Sequence, residues 1–490
     1  MRTVMAIDVG TTHIKSMLFC ADGTVLAEEK TPTPLDETKE GSVYRPRVIW
    51  DIARRQLLSL ADKAQGSCAG ISITGMAEAG LVVNRDSGVE ESDIIPWFDR
   101  RTTSLAGQAG ADEEERIFAK TGLRDSFKYG IYKFLWLLDH QKMDREHAVW
   151  LSMCDYILYK LTGRFATDAS FAARTYVYDI VRGCWDAARL QGYGLREDNF
   201  PEVLASGETA GVWKERGIPA AIAGHDHICA AFGMLQNRRN AVCDSAGTSE
   251  TYIGRLETLD KRLRRDEGLL YGPFVDGGWF FMANLPSSGH SVEWFRRNVQ
   301  DVPFDYDRMN RQLLSLDRRP TGILYYPYLT GMGSPCYDSE SAGALLGLRE
   351  GHDCYTILKG IMEGIQYQAA WLLSICREKH AAEARSLICA GGSVHNRALM
   401  QLKADILGIP VSVPSVGEAT LAGAAALLLK RQCGEKALAP FLCTAFSEKE
   451  CFEPDFELHA QYRKIQEDRF LPMIEVLRRN LDIKNEREKI

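Results

Sequence analysis

The chain has 490 residues, of which 45% are hydrophobic, so it is long enough to build two or three domains with substantial cores. Its formal net charge of −7 argues against a nucleic-acid partner, which would require a basic face. The 13 cysteines form no C-x-x-C pair, which favours free thiols in a reducing compartment over disulfides or a zinc site. No apolar stretch reaches the length of a membrane span, and no signal-peptide pattern opens the chain. We therefore expect a cytoplasmic protein that binds neither membrane nor nucleic acid.

The first predicted element is a strand that ends in an acid. An apolar run leads into Asp8, a turn of Gly10, Thr11 and Thr12 follows, and a second apolar run begins after it. Gly10 would let the backbone approach a bulky anion, and the two threonines offer hydroxyl and amide donors to it. Asp8 could hold Mg²⁺ directly or through water, and Lys15 adds positive charge nearby. The pattern predicts a hairpin tip that binds phosphate and a metal ion, with an ordinary glycine turn as the alternative.

The next elements alternate between strand and helix patterns. Apolar spacing predicts a helix over 49–64, strands over 69–74 and 81–83, and a mostly helical segment over 102–216. A strand followed by a helix is predicted over 219–232. The tryptophans of the helical segment are interpreted as core residues.

A second hairpin tip repeats the first one near the midpoint of the chain. A short apolar run leads into Asp244, and the turn consists of Gly247, Thr248 and Ser249 after Ala246. Two such tips, one in each half, suggest a duplicated domain whose halves clamp one polyphosphate.

A third glycine-rich turn follows the predicted strand 387–390. Gly391, Gly392 and Ser393 lead to Asn396, which opens a predicted helix over 397–407. Paired glycines between strand and helix allow a flat ring or a ribose to approach closely, and Asn396 can hydrogen-bond it.

These three elements, in this order, resemble those of the FGGY family of carbohydrate kinases, which includes xylulokinases and glycerol kinases. Further segments resemble blocks of the same family, and the resemblance extends to about residue 430: 96–101 (PWFDRR), 150–156 (WLSMCDY), 161–163 (LTG), 167–170 (TDAS), 326–331 (YPYLTG), 343–348 (GALLGL) and 363–365 (EGI). The resemblance implies an α/β fold of two actin–hexokinase (ribonuclease H-like) domains with a cleft between them.

The resemblance also implies a division of the chain into domains. We expect an N-terminal domain over 1–238 that holds the sugar and the base, a C-terminal ATP-binding domain over 239–432, and a helical tail over 433–490. A hinge is expected near 235–242, and the last residues of the tail are expected to be disordered.

The resemblance also implies the ligands, which are ATP, Mg²⁺ and a small sugar. The ATP contacts it implies are, in the first half, Gly10, Thr11, Thr12 and Lys15, and in the second half Gly247, Thr248, Ser249, Gly391, Gly392, Ser393 and Asn396. Asp8 would hold the metal ion. His13 departs from the small hydroxyl residue common at its place, but backbone amides carry much of a phosphate contact.

A sugar kinase needs a general base, because a neutral alcohol attacks a phosphoryl group poorly. Asp226, in the segment Gly224-His225-Asp226-His227, matches the family's base. A competing interpretation takes the two histidines as a metal pair, although no cluster that would supply a third ligand is evident. A turn-capping role is the remaining alternative.

Sugar contacts are expected from Glu78, Trp97, Asp99, Asp226 and His227. Glu78 would accept hydrogen bonds from hydroxyls, Trp97 would stack on the C–H face of the sugar, and Asp99 would fix polar groups around it. Lys128 would suit an acidic or phosphorylated sugar, but a solvated side chain is the preferred interpretation.

The substrate stays open at this stage. A ketopentose such as xylulose or ribulose is the first choice, although Glu78 stands in a segment that departs from the Met-His pair associated with xylulokinases. A tetrulose, a deoxyhexose, a polyol and an aldonate are the alternatives. Two other classes of protein are a non-catalytic actin-like nucleotide-binding regulator and an activator ATPase of 2-hydroxyacyl dehydratases, which would need paired cysteines. A homodimer is a further option that the sequence leaves open.

Overall fold

The structure is a computed structural model that describes residues 2–64, 66–236, 238, 240–259, 263–299, 306–380 and 384–480. The strands of the described residues are β1 (Arg2–Val9), β2 (His13–Cys20), β3 (Val25–Pro32), β4 (Asp36–Thr38), β5 (Gly41–Val43), β6 (Ser67–Gly75), β7 (Gly80–Asn84), β8 (Ala148–Ser152), β9 (Ala166–Asp168), β10 (Tyr178–Asp179), β11 (Cys184–Trp185), β12 (Glu202–Leu204), β13 (Thr209–Trp213), β14 (Ile218–His225), β15 (Ala241–Ala246), β16 (Glu250–Leu256), β17 (Leu270–Pro273), β18 (Trp279–Leu285), β19 (Leu324–Tyr326), β20 (Ala344–Leu346), β21 (Ser386–Ala390), β22 (Val411–Pro414) and β23 (Glu448–Phe452). The helices are α1 (Pro46–Lys63), α2 (Ala111–Thr121), α3 (Gly130–His140), α4 (Met153–Thr162), α5 (Ala169–Ala173), α6 (Ala187–Gly192), α7 (Asp226–Leu235), α8 (Gly289–Asn298), α9 (Tyr306–Ser315), α10 (Cys354–His380), α11 (Arg397–Leu407), α12 (Ala419–Cys433), α13 (Glu435–Ala445), α14 (Phe456–Ile465) and α15 (Leu471–Asn480).

The first large sheet has the strand order β13-β14-β6-β1-β2-β3. Strand β1 is antiparallel to β2 and parallel to β6, and β6 is parallel to β14. The register places Gly75, at the end of β6, opposite both Val9 and His225. The carboxyl ends of these three strands therefore meet at one edge of the sheet, where Asp8 and Asp226 lie close together.

The second large sheet repeats this arrangement, with the order β17-β18-β16-β15-β21-β22-β23. Strand β15 is antiparallel to β16 and parallel to β21, as β1 is to β2 and β6. Strand β21 is in turn parallel to β22. One topology thus occurs twice in the chain, which is what two similar hairpin tips in the sequence suggest.

Helices α7 and α12 cross between the two halves at very short range. A Cβ atom on Gly423 would lie only 1.9 Å from the carbonyl oxygen of Cys229, so a side chain larger than hydrogen does not fit there. The hydroxyl of Ser72, on the first sheet, donates to the carbonyl of Ala424 at 2.7 Å. Helix α12 therefore packs on the first sheet although it lies between β22 and β23, two strands of the second sheet, in sequence. The two halves are tightly joined at this crossing.

Several predicted elements differ in the structure. The segment 102–216 contains strands as well as helices, because the apolar run of β8 pairs with β7 and is buried as a strand. The tail 433–490 is not wholly helical, since β23 adds an edge strand to the second sheet. Its last ten residues, 481–490, lie outside the described residues, as do residues 237 and 239 of the expected hinge. The domain boundaries at 238 and 432 stay a prediction.

Burial confirms the core role of the aromatic residues. Trp136, Trp150, Trp185 and Trp213 are all at most 8% exposed. Helix α1 begins at Pro46, three residues before the predicted start, because proline suits the first turn of a helix, where no intrahelical N–H bond is made. Among the helices of the described part, none combines the length and hydropathy that a bilayer crossing requires.

Candidate active site

Two carboxylates lie at the shared edge of the first sheet and interact electrostatically. Asp8 lies near the end of β1, and its Oδ1 atom is buried without a hydrogen-bond partner among the described residues. Burial first, and then the charge of Asp226, raise the pKa of Asp8 well above its ordinary value. An oxygen donor set with one unsatisfied carboxylate atom fits a hard divalent cation such as Mg²⁺. Asp8 is therefore suited to the metal role that the resemblance implies for it.

Asp226 is the first residue of α7, directly after β14. Its Oδ1 atom accepts a hydrogen bond from the backbone amide of His227 at 2.6 Å and lies 3.0 Å from Nε2 of His225. Burial acts to raise the pKa of Asp226, but the two flanking histidines hold it below its ordinary value. The carboxylate is therefore ionised at neutral pH and can accept a proton.

The two histidines and Asp226 also offer one donor atom each within 4.8 Å of one another. The sequence interpretation of a metal pair lacked a third ligand, and Asp226 is placed to be one. However, the 3.0 Å contact between His225 and Asp226 is a hydrogen-bond distance, and it leaves the carboxylate oriented by the ring. This geometry favours the base over the metal pair.

Glu78 is held by a partner that the sequence analysis did not identify. It follows β6 with a φ of 62°, and its Oε1 atom accepts from Nε of Arg174 at 2.8 Å and also from Nη2. Burial acts to raise the pKa of Glu78, while Arg174 and then Lys128 lower it. No hydrogen bond reaches Oε2 from the described residues, so this oxygen can still accept one from a sugar hydroxyl.

Lys128 is half-buried, and the expectation of a solvated side chain is wrong. Its Nζ atom lies 5.7 Å from the ring centre of Tyr129, and the guanidinium of Arg174 lies 5.4 Å from the same centre. Burial, together with the charge of Arg174, lowers the pKa of Lys128 to about 8. The fully buried Lys133 donates to the main-chain carbonyl of Lys128, and burial lowers the pKa of Lys133 to about 7.

Trp97 and Asp99 have different environments although they are neighbours in sequence. Trp97 is 40% exposed, and its indole donates to the hydroxyl of Thr11 at 3.0 Å, which links it to the first hairpin tip. The carboxylate of Asp99 accepts from the side chain of Arg101 at 2.8 Å and from the amide of Ser42 at 2.8 Å. Trp97 is thus available for stacking, whereas both oxygens of Asp99 are used to hold its own segment.

Helix α8 packs against the second hairpin tip. The amide of Gly247 donates to the carbonyl of Ser249 at 3.0 Å, and the amides of Gly289 and His290 donate to the carbonyls of Gly247 and Thr248 at 3.2 and 2.9 Å. The backbone acceptors of the tip are therefore satisfied, while Thr248 is exposed and its hydroxyl has no partner among the described residues. This arrangement leaves donors free for phosphate oxygens.

The third turn requires glycine for a steric reason. Gly391 has a φ of 112°, and a Cβ atom on it would lie 2.5 Å from the carbonyl oxygen of Ala246. After the short 3-10 turn that contains Gly392 and Ser393, the side chain of Asn396 caps α11 by accepting from Leu399 at 3.0 Å. The side-chain nitrogen of Asn396 has no hydrogen-bond acceptor among the described residues.

Asn310 on α9 is a further polar residue beside this turn that the sequence analysis missed. Its Nδ2 atom donates to the carbonyl of His395 at 2.8 Å, and its Oδ1 atom is buried without a partner among the described residues. A single asparagine on a helix carries no motif, so only the folded structure identifies it.

Lys15 and Glu418 join the two halves beside the cleft. The ammonium of Lys15, on β2, contacts both carboxylate oxygens of Glu418 at 2.8 Å. The positive charge expected next to the phosphates is thus largely neutralised by an acid from the other half. His13, the first residue of β2, closes the hairpin through its carbonyl, which accepts from Gly10 at 3.1 Å, so the side chain of His13 is not needed for the turn.

Two family models match the chain, and together they cover most of it. The N-terminal domain of the FGGY family of carbohydrate kinases matches residues 3–233, and its C-terminal domain matches residues 243–430. Among curated relatives, a glycerol kinase of Alkaliphilus metalliredigens is 30% identical over 86% of this chain and 88% of its own. Glycerol kinase 2 of Pseudomonas aeruginosa is 28% identical over 95% and 96%.

Solved structures share the fold at low identity. A gluconate kinase from Lactobacillus acidophilus superimposes with a TM-score of 0.86 at 19% identity, with 98% of each chain covered. A glycerol kinase of Plasmodium falciparum with ADP gives a TM-score of 0.82 at 19% identity over 96% and 98%. The prediction of two actin–hexokinase domains is confirmed, as is the use of ATP with Mg²⁺. The chain belongs to the FGGY family of carbohydrate kinases, and it is an enzyme rather than a regulator.

Proposed function

We propose that the protein transfers the γ-phosphate of ATP to a hydroxyl of a small sugar bound between Glu78 and Asp226. The observation that carries this proposal is the position of Asp226, an ionised carboxylate beside Asp8 at the edge where three parallel strands end. A base at this place can take the proton of a hydroxyl as it attacks the phosphorus atom.

In the first half, some residues bind the sugar and Asp226 accepts its proton. Oε2 of Glu78 accepts from a sugar hydroxyl, the exposed face of Trp97 stacks on the sugar, and Asp226 takes the proton. His225 orients the Asp226 carboxylate, and His227 stands next to it as a sugar contact. Asp99 supports the Trp97 segment rather than the sugar.

The hairpin tips and the third turn hold the nucleotide. The donors at Thr11, Thr12, Thr248 and Ser249 bind phosphate oxygens, and the turn from Gly391 to Asn396 binds the nucleoside. Asp8 would hold the Mg²⁺ ion, which when bound would neutralise charge on the phosphate oxygens. Because both tips contribute, closure of the two halves would bring the phosphate to the hydroxyl and exclude water.

The identity of the sugar is tested by a phosphorylation panel with coupled ADP detection. The panel contains xylulose and ribulose, the ketopentoses favoured by the sequence, with tetruloses, deoxyhexoses, polyols and aldonates as the alternatives. Glycerol belongs in it because curated relatives are glycerol kinases. Release of ADP with none of these compounds would contradict the proposal.

Replacing Thr248 by Val should raise the KM for ATP with little effect on sugar affinity measured without ATP. The change deletes an exposed hydroxyl donor at the second tip and keeps the volume nearly constant. Steady-state kinetics and calorimetric titration of the sugar check this. An equal loss of sugar binding would show that the second tip is not a phosphate loop.

Replacing Glu78 by Ala should lower kcat/KM for the true sugar by about one to two orders of magnitude, because the charge-assisted hydrogen bond that a sugar hydroxyl donates to Oε2 is lost. Basal ATP hydrolysis should persist. Glu78→Gln is the matched control, since it keeps an acceptor for Arg174 and so separates lost recognition from a disturbed fold. Unchanged sugar KM and kcat in both variants would remove Glu78 from the substrate site.

A further inference from the structure

The region around Glu78 contains more cationic than anionic side chains. Arg174, Lys128 and Lys133 all interact electrostatically with this single carboxylate. Arg174 forms the ion pair with Glu78, and Lys133 donates to a main-chain carbonyl. Lys128, in contrast, is unpaired, because its ammonium makes no ion pair or hydrogen bond with any of the described residues.

Lys128 lies near the ring of Tyr129, together with the Arg174 partner of Glu78. One face of the Tyr129 ring is stacked on Tyr176, with ring centres 4.9 Å apart and planes at 20°. Lys128 and Arg174 both approach the Tyr129 ring, at 5.7 and 5.4 Å from its centre, and therefore lie toward its other face or edge. The unpaired ammonium is thus close to the carboxylate that we assign to the sugar.

The neighbouring acids are already engaged elsewhere. Asp99 is paired with Arg101, and Asp125 accepts from the hydroxyl of Tyr132 at 2.6 Å and from the amide of Gly107 at 2.7 Å. Asp226 is engaged by its flanking histidines. None of these acids of the described part pairs with Lys128. The carboxylate that does interact with its half-buried charge, Glu78, is already paired with Arg174.

We propose that the substrate carries an anionic group, a carboxylate or a phosphate ester, which Lys128 binds. This inference rests on the proposed kinase function and narrows its substrate class, selecting acid sugars such as aldonates, or sugar phosphates, over neutral ketoses and polyols. The physical reason is that a partly desolvated ammonium without a partner is costly, and an anionic group of the substrate would supply a charge-assisted hydrogen bond there.

Matched substrate triplets test the inference. D-gluconate, D-glucitol and D-glucitol 1-phosphate differ only in the group at C1, as do D-erythronate, erythritol and D-erythritol 1-phosphate. We expect the wild type to phosphorylate the acid or the phosphate ester of a triplet with the higher kcat/KM, and the better of these two arms identifies the anion. A preference for the neutral member of both triplets would overturn the inference while leaving the kinase function intact.

Variants of Lys128 give a second test of the inference. Lys128→Met removes the charge with similar length and should lower kcat/KM about 10- to 100-fold for the anionic member alone, with Lys128→Arg restoring part of it. Lys436→Met, at an exposed lysine of α13, is the matched control and should change nothing. Equal losses for anionic and neutral members would also overturn the inference.

Calorimetry separates this inference from the proposed function. The six compounds are titrated into the wild type and into Lys128→Met in the presence of ADP. If none is phosphorylated but an anion binds only when Lys128 is present, the inference holds and the kinase assignment for these sugars fails. If no anion binds more tightly than its neutral counterpart, the inference is wrong whatever the outcome of the kinetic assays.

Discussion

Replacing Asp226 by Asn should reduce kcat by about 10²–10⁴-fold, the usual contribution of a general base, while ATP affinity stays nearly unchanged. The amide has the shape of the carboxylate, and its oxygen can still accept from the backbone of His227. It cannot take a proton from the sugar hydroxyl. The expected defect therefore lies in the chemical step alone.

The measurement combines steady-state kinetics with calorimetric titration of ATP into the sugar-free enzyme. Asp22→Asn is a suitable control, because Asp22 is exposed and its side chain accepts from the amide of Thr24, a bond that Asn preserves. Its kcat should match the wild type. A variant at Asp226 with near-native kcat would remove this residue from the mechanism.

The sequence predicted those parts of the site that depend on local chemistry. Asp8, Gly391 and Asp226 each stand at a junction where a strand meets a turn or a helix, and such junctions have residue patterns that can be recognised locally. The duplicated hairpin tips indicated two similar halves for the same reason. The structure places all of these residues at strand ends.

The contacts that sequence analysis missed join segments far apart in the chain. Arg174 reaches Glu78 across 96 residues and Glu418 reaches Lys15 across 403, and no periodic pattern encodes either pair. Lys128 was interpreted as solvated because lysine usually is, whereas the fold half-buries it beside Tyr129 and Arg174. Distant pairing and burial are properties of the packed chain, so they become visible only in the structure.

The two hairpin tips differ in whether a cation compensates the negative charge of their aspartate. Asp8 contacts no cation directly in the described part, whereas Asp244, at the corresponding place of the second tip, is buried in contact with the ammonium of Lys403. The same ammonium lies 3.2 Å from Glu250, which also accepts from the hydroxyl of Ser288 at 2.8 Å. Burial acts to lower the pKa of Lys403, but the two carboxylates raise it well above its ordinary value. Lys403 thus compensates part of the acidic charge of the second tip, whereas no cation of the described part contacts Asp8, which suits the first tip to a metal ion.

Replacing Lys403 by Met should destabilise the C-terminal half by about 3–5 kcal/mol, because it leaves the carboxylates of Asp244 and Glu250 buried without a counterion. The loss should appear as a lower urea midpoint and as faster hydrogen exchange of the β15 and β21 amides, with weaker ATP binding as a consequence of the loosened tip. Adding Asp244→Asn in the same protein should recover part of the stability, since one uncompensated charge is then removed. Lys436→Met should leave the midpoint unchanged. A Lys403→Met protein as stable as the wild type would mean that the buried carboxylates are protonated or hydrated, and that the charge balance of the second tip does not depend on this lysine.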